Sequence, residues 1–203
     1  MKLPVYELKI NPANDSVVDA IALVEHPAIE SDFLAFNSQA PSKIQFAAND
    51  ERMELLGPAM VPDQRIYRKD EDGSEYEVFF SKDTIREIAQ VFFNRGFQKN
   101  MNLDHTATPA KSFIYQSYLV DSDKGMNSPK GLDLPDGSWV VGVKVTDADV
   151  WADIKAGKRK GFSVEGLFEF IQPSKMSRHI KNERGQDVEM LKILQQMTTL
   201  AKK

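Results

Sequence analysis

The sequence contains no cysteine. Disulfides, thiolate metal sites and cysteine nucleophiles are thereby excluded, and the redox compartment is left open. Histidine is almost as scarce: His26, His105 and His179 are the whole supply, so a three-histidine metal site would need every one of them. No apolar run approaches the roughly 20 residues that span a bilayer. The N-terminal MKLPVYELKI has no signal-peptide core, so a soluble, cytoplasmic product is expected. Charge of one sign is also missing. Against 26 Lys and Arg stand 30 Asp and Glu, for a net charge of −4, which argues against broad adhesion to nucleic acid or anionic lipid. Walker A, G-x-G-x-x-G, H-E-x-x-H and EF-hand patterns are absent. No cofactor and no metal are therefore expected. The acidic stretch at 121–131 begins like a calcium loop but lacks its glycine at the sixth position and glutamate at the twelfth.

What is present is the composition of a folded domain. With 41% hydrophobic and 28% charged residues over 203 positions, the chain has enough apolar material for a core without staples. Residues 3–10 alternate like a short strand, and 16–25 form a second, buried one ended by Pro27. Residues 37–50 read as loop or linker. The run 52–62 is a strand interrupted by Gly57-Pro58, at a bulge or an edge. RIYR and EYEVFF flank an Asp72-Gly73 hairpin turn. Ser81 caps a helix whose apolar positions Ile85, Ile88, Ala89 and Phe92 fall at i, i+3, i+4 and i+7, with Gly96 beyond its end. Strands follow at 111–120 and 138–145, joined by a Gly-, Pro- and Asp-rich surface loop. Asp147 caps a second helix stopped by Gly157, and 161–171 reads as a final strand. After Pro173 the chain turns polar and ends in an amphipathic helix carrying Val188, Leu191, Ile193, Leu194 and Met197. About seven strands and few helices, without regular alternation, predict an α+β domain at 1–172, mainly an antiparallel sheet or open β-barrel flanked by short helices. Residues 173–203 form an appended linker and helix.

Two residues invite chemistry. His105, in NMNLDHTATP, lies where a strand meets a loop. Ser163, in GFSVEG, sits in an apolar strand between Gly161 and Gly166 and must satisfy its hydroxyl. Taken singly, each reads as an ordinary polar residue, and Ser163 is not in a G-x-S-x-G elbow. As a pair they would be a nucleophile and its base. A third group would have to orient the imidazole. Glu165 shares the strand face of Ser163, Asp19 and Glu25 share a face of the 16–25 strand, and Asp104 adjoins His105 but points away from it. Residue types alone do not choose among them. Backbone amides near 158–161, or Arg159 in the same run, lie ahead of the serine and are candidates for an oxyanion site, though a solvated turn is the plainer reading of KAGKRKG.

The order of the pieces says more. ALVEHPAIESDFLAF, GPAMVPDQRIYR, NMNLDH and the stretch DGSWVVGVKVTDADVWADIKAGKRKGFSVEGLF together resemble the XkdF-like family of phage serine proteases over roughly residues 5–171. Through it the chain is distantly similar to tailed-phage prohead proteases and herpesvirus assemblin. The resemblance implies a histidine from the NxxH segment and a serine from the GFS segment, here His105 and Ser163; it does not name the third member, which is taken as Glu165 with Asp19 and Glu25 open. Prohead proteases place a strand of the form E-[VI]-S-L-V-T-x-P-A after the serine, and it brings an acid. Here a similar strand, ALVEHPA at 22–28, precedes the serine instead, as a circular permutation would give, and Ala20 occupies the acidic position. The implied function is a procapsid maturation protease in the bacterial host cytoplasm, within the assembling phage procapsid. Its expected partners are the scaffold and capsid proteins, its own tail at 172–187, and a further copy of itself through the terminal helix, with no nucleic acid and no membrane. A catalytically silent head or scaffold-associated protein of the same fold is the alternative.

Overall fold

The computed structural model describes residues 3–27, 34–36, 52–70 and 72–171, of 34–36 the backbone only. The expected loop at 37–50 and the tail after residue 172 lie outside the described residues. In chain order the elements are β1 (Val5–Lys9), β2 (Val18–Val24), β3 (Leu34–Phe36), β4 (Glu54–Met60), β5 (Ile66–Lys69), β6 (Glu75–Phe79), α1 (Lys82–Asn94), β7 (Met101–Leu103), β8 (Ser112–Leu119), β9 (Trp139–Val145), α2 (Ala148–Lys155), β10 (Gly161–Gly166) and β11 (Glu169–Ile171).

The α+β class holds, but among the described residues the strands form neither one sheet nor a closed barrel. They make three small sheets, ordered β11-β1-β6-β5, β10-β2-β7 and β3-β4-β9-β8. Pairing is antiparallel except between β1 and β6 and between β2 and β7. The stretch 161–171, expected as one strand, is two. The register with β2 slips between Glu165 and Gly166. A side chain at 166 would put its Cβ 2.2 Å from the Val17 carbonyl oxygen, so only glycine passes this close to the neighbouring backbone. Beyond the bulge the chain leaves β2 and pairs with β1. Likewise β4 bulges between Pro58 and Met60, yet it is an inner strand between β3 and β9, not an edge.

Local chemistry explains the helices. Ser81 accepts from the Thr84 amide and its hydroxyl donates to Glu7 Oε1 at 2.7 Å, so the cap also ties α1 to β1. The α1 stripe of Ile85, Ile88 and Phe92 is fully buried, and Phe92 meets Trp139 edge to face with ring centroids 5.5 Å apart. Asp147 caps α2 through the Asp149 and Val150 amides. One core joins these layers: Ile21 and Leu23 of β2, Leu55 and Met60 of β4, Trp139 of β9 and Phe162 of β10 are all buried. Each such side chain contributes about 1.5–3 kcal/mol. Because β2 and β10 turn Ile21, Leu23 and Phe162 inward, the intervening residues Ala20, Ala22, Ser163 and Glu165 face the other way. The core thus fixes the serine's orientation.

Candidate active site

Register places the candidate residues in rows. Ser163 pairs with Ala22 and Glu165 with Ala20 across β10 and β2. Across β2 and β7, Ala22 pairs with Asn102. Ser163, Ala22 and Asn102 therefore stand side by side on one face, with Glu165 one step along. The two alanines are too short to fill the space above β2. Through that gap the Asn102 amide reaches Glu165, Nδ2 donating to Oε2 at 2.7 Å.

His105 comes from the turn after β7. Thr106 N–H donates to the Leu103 carbonyl at 3.0 Å, and both central residues have positive φ, 50° at Asp104 and 56° at His105. That is the demand of a type I′ turn, which glycine, asparagine and aspartate meet most easily. A histidine held there carries backbone strain, offset by its surroundings. The Asp104 amide donates to the Leu23 carbonyl at 3.1 Å. The Asp104 carboxylate pairs with Arg159, whose guanidinium also reaches the Leu23 carbonyl at 3.3 Å. Only 14% of the Arg159 side chain is exposed. One guanidinium thus fastens the histidine turn to the lead-in of the Ser163 strand. Held this way, the imidazole Nδ1 lies 3.4 Å from Glu165 Oε2, the oxygen that also accepts from Asn102. Both partners are part-exposed, at 41% and 44%.

His105, Ser163 and Glu165 line one cleft of about 570 Å³. Ser163 is half-buried; it and His105 both line the cleft, and no hydrogen bond joins the two. In proteases such bonds are commonly long before substrate arrives. Of the other carboxylates, Asp19 is exposed and has no partner on β10, because the register slips past it from Ala20 to Val18. Glu25 lies beside His26 at the surface, 3.9 Å away. Asp104 points away from the imidazole, to Arg159. His179 lies outside the described residues. Two of the amides offered for an oxyanion are engaged elsewhere: Lys158 N–H donates to the Asp153 carbonyl and Lys160 N–H to that of Val24. Among the described residues no cluster of three or more His, Asp or Glu is arranged to hold a metal. In the calcium-loop-like stretch, the hydrogen bond from Lys124 holds the Asp121 carboxyl below its usual range, so the loop neutralises its own acid.

Sequence reasoning missed Asn102 and Arg159 as parts of this arrangement. Asn102 had a signal, since alternation in MNL places it on the face opposite the buried Met101. Arg159, offered from sequence only as an oxyanion helper, gave no signal of its clamp, because its partners Asp104 and Leu23 are distant in sequence.

Comparison with known proteins now adds a family. The family model described as "Putative phage serine protease XkdF" matches residues 44–172. The chain is also 27% identical over 164 residues to "Uncharacterized protein YqbD" of Bacillus subtilis (strain 168), an alignment covering 71% of this chain and 49% of the relative. The chain thus spans about half the length of that protein. No solved structure matches.

Proposed function

The chain belongs to that XkdF family, and from this premise we propose that it is a serine endopeptidase in which Ser163, His105 and Glu165 act as nucleophile, base and orienting acid. The observation carrying the proposal is the Nδ1–Glu165 contact inside the cleft that Ser163 also lines. A carboxylate at Nδ1 favours the tautomer with its proton there and leaves Nε2 free to accept one. The Ser163 oxygen adds to a peptide carbonyl carbon while its proton passes to Nε2. The imidazolium, stabilised by Glu165, then returns that proton to the leaving amine as the C–N bond breaks. Water hydrolyses the acyl-serine by the same relay. Asn102 holds the Glu165 carboxylate in place.

The permutation belongs to the same reading. β2, which carries the ALV of ALVEHPA, lies directly beside β10, and the residue opposite Ala20 is Glu165. The acid missing from position 20 is supplied from across the ladder. The substrates are phage scaffold protein, capsid protein or the chain's own segment 172–187, cut within the assembling procapsid in the bacterial host.

The competing reading, a silent head or scaffold-associated protein, draws on the absent hydrogen bond between the Ser163 hydroxyl and the imidazole. Ser163→Ala separates the two. Loss of processing by at least about a thousandfold, with an unchanged melting temperature, supports the protease. Wild-type processing by Ser163→Ala refutes it.

A further inference from the structure

The cleft extends well beyond the three polar residues, and its walls are apolar. Met60, Ile66, Val78, Phe80 and Phe168 line it. Phe80 and Phe168 are locked edge to face, 5.1 Å between centroids, so this wall is built before any ligand arrives. At about 570 Å³ the cleft is in the size range of ligand-binding pockets, far more than a catalytic triad needs.

The backbone beside it is a second, independent observation. Ile21 N–H donates to the Asn100 carbonyl, and the Leu23 carbonyl accepts from the Asp104 amide. The odd residues of β2 therefore bond toward β7 and the even ones, Ala20 and Ala22, toward β10. Ser163 and Glu165, opposite those alanines, turn their main-chain groups to β2, and Val164 turns its N–H and C=O to the other side. On that side β10 forms no ladder with any described strand, although β4 packs against part of it. Val164 also lines the cleft.

We propose that the cleft binds an extended peptide by strand addition to the Val164 edge of β10, with a large aliphatic or aromatic side chain seated among Met60, Ile66, Phe80 and Phe168. Residues of an extended peptide alternate in direction, so one side chain in two enters the cleft while its neighbours face solvent. This rests on the protease reading and names its substrate class: segments with a bulky apolar residue close to the scissile bond. Burying one such side chain makes the apolar peptide about tenfold or more tighter than its polar counterpart.

The test uses the full chain carrying Ser163→Ala and two fluorescent ten-residue peptides, identical except for Leu or Ser at one position. At least tenfold tighter binding of the Leu peptide is expected, with the difference shrinking in Ser163→Ala/Phe168→Gln. N-methylation scanned along the Leu peptide should weaken binding at every second position. Equal binding of the two peptides overturns the proposal, as does an N-methyl scan without that period. Fluorophosphonate labelling of the wild-type chain reports separately on the triad. If labelling fails while the Leu peptide binds selectively, the cleft stands and the protease reading falls; if labelling succeeds and selectivity is absent, the reverse holds.

Discussion

The two halves of the candidate site are built in opposite ways. Ser163 stands in a ladder, paired to Ala22, with buried Phe162 behind it in the core. His105 stands on a turn of two left-handed residues, held from outside by Arg159 and Glu165. The serine's position comes from cooperative packing, which single surface changes barely move. The imidazole's position comes from a few polar contacts, each open to water on one side. Errors in the strand should therefore appear as lost stability, and errors in the turn as lost activity in a folded protein.

Gly166→Ala is the harshest test on the strand side. Its Cβ would strike the Val17 carbonyl and the Val18 backbone, neither of which can swing aside. A loss of about 1–3 kcal/mol is expected, read by denaturant unfolding, with Glu165 displaced and activity falling in step. Arg159→Met is the matching test on the turn side. It frees Asp104 and loosens the turn carrying the proposed base, so processing should fall about ten- to a hundredfold, for a misplacement near 1 Å. Stability should drop by only about 1 kcal/mol, because Asp104 is half exposed. A loss of stability as large as that of Gly166→Ala would erase the contrast. Asn102→Ala should act more weakly and in the same sense, raising the mobility of Glu165 and lowering kcat with little change in KM.

Away from the site, the smallest effect concerns pH. The hydrogen bond from Lys111, with those from the α2 amides, holds the Asp147 carboxyl below its ordinary value of 3.8. A depressed carboxylate stabilises the fold above its unfolded pKa, and that contribution is lost as pH falls through the lower folded value. Melting temperature measured on both sides of pH 3.8 should decline more steeply for the wild-type chain than for Asp147→Asn; identical slopes would contradict the assignment.

Much of the local structure was legible in the chain because local chemistry decides it. Ser81 and Asp147 announce their helices as caps, the Asp72-Gly73 pair announces its hairpin, and the Ile85–Phe92 periodicity names the buried face of α1. The residues of the cleft rim, Ser163, His105 and Glu165, were legible as chemical types, but that Glu165 rather than Asp19 or Glu25 lies against the imidazole needed the register of β10 against β2. The split of 161–171 was not legible, since nothing in GFSVEGLFEFI says that Gly166 must pass within contact of the Val17 backbone. The Arg159–Asp104 clamp was hidden for the same reason. In sequence KAGKRKG is a solvated basic turn, and only the fold lowers one of its side chains onto a turn more than fifty residues upstream. β3 was hidden too, a three-residue strand defined by its pairing with β4.

The central claim is that the Ser163 hydroxyl is activated by His105. Treatment of the full chain with a fluorophosphonate, followed by mass-spectrometric location of the adduct, tests it most directly. The account predicts one adduct, on Ser163, abolished by His105→Ala and slowed by Glu165→Ala. An adduct on another residue, or labelling of Ser163 at the same rate without His105, would contradict it.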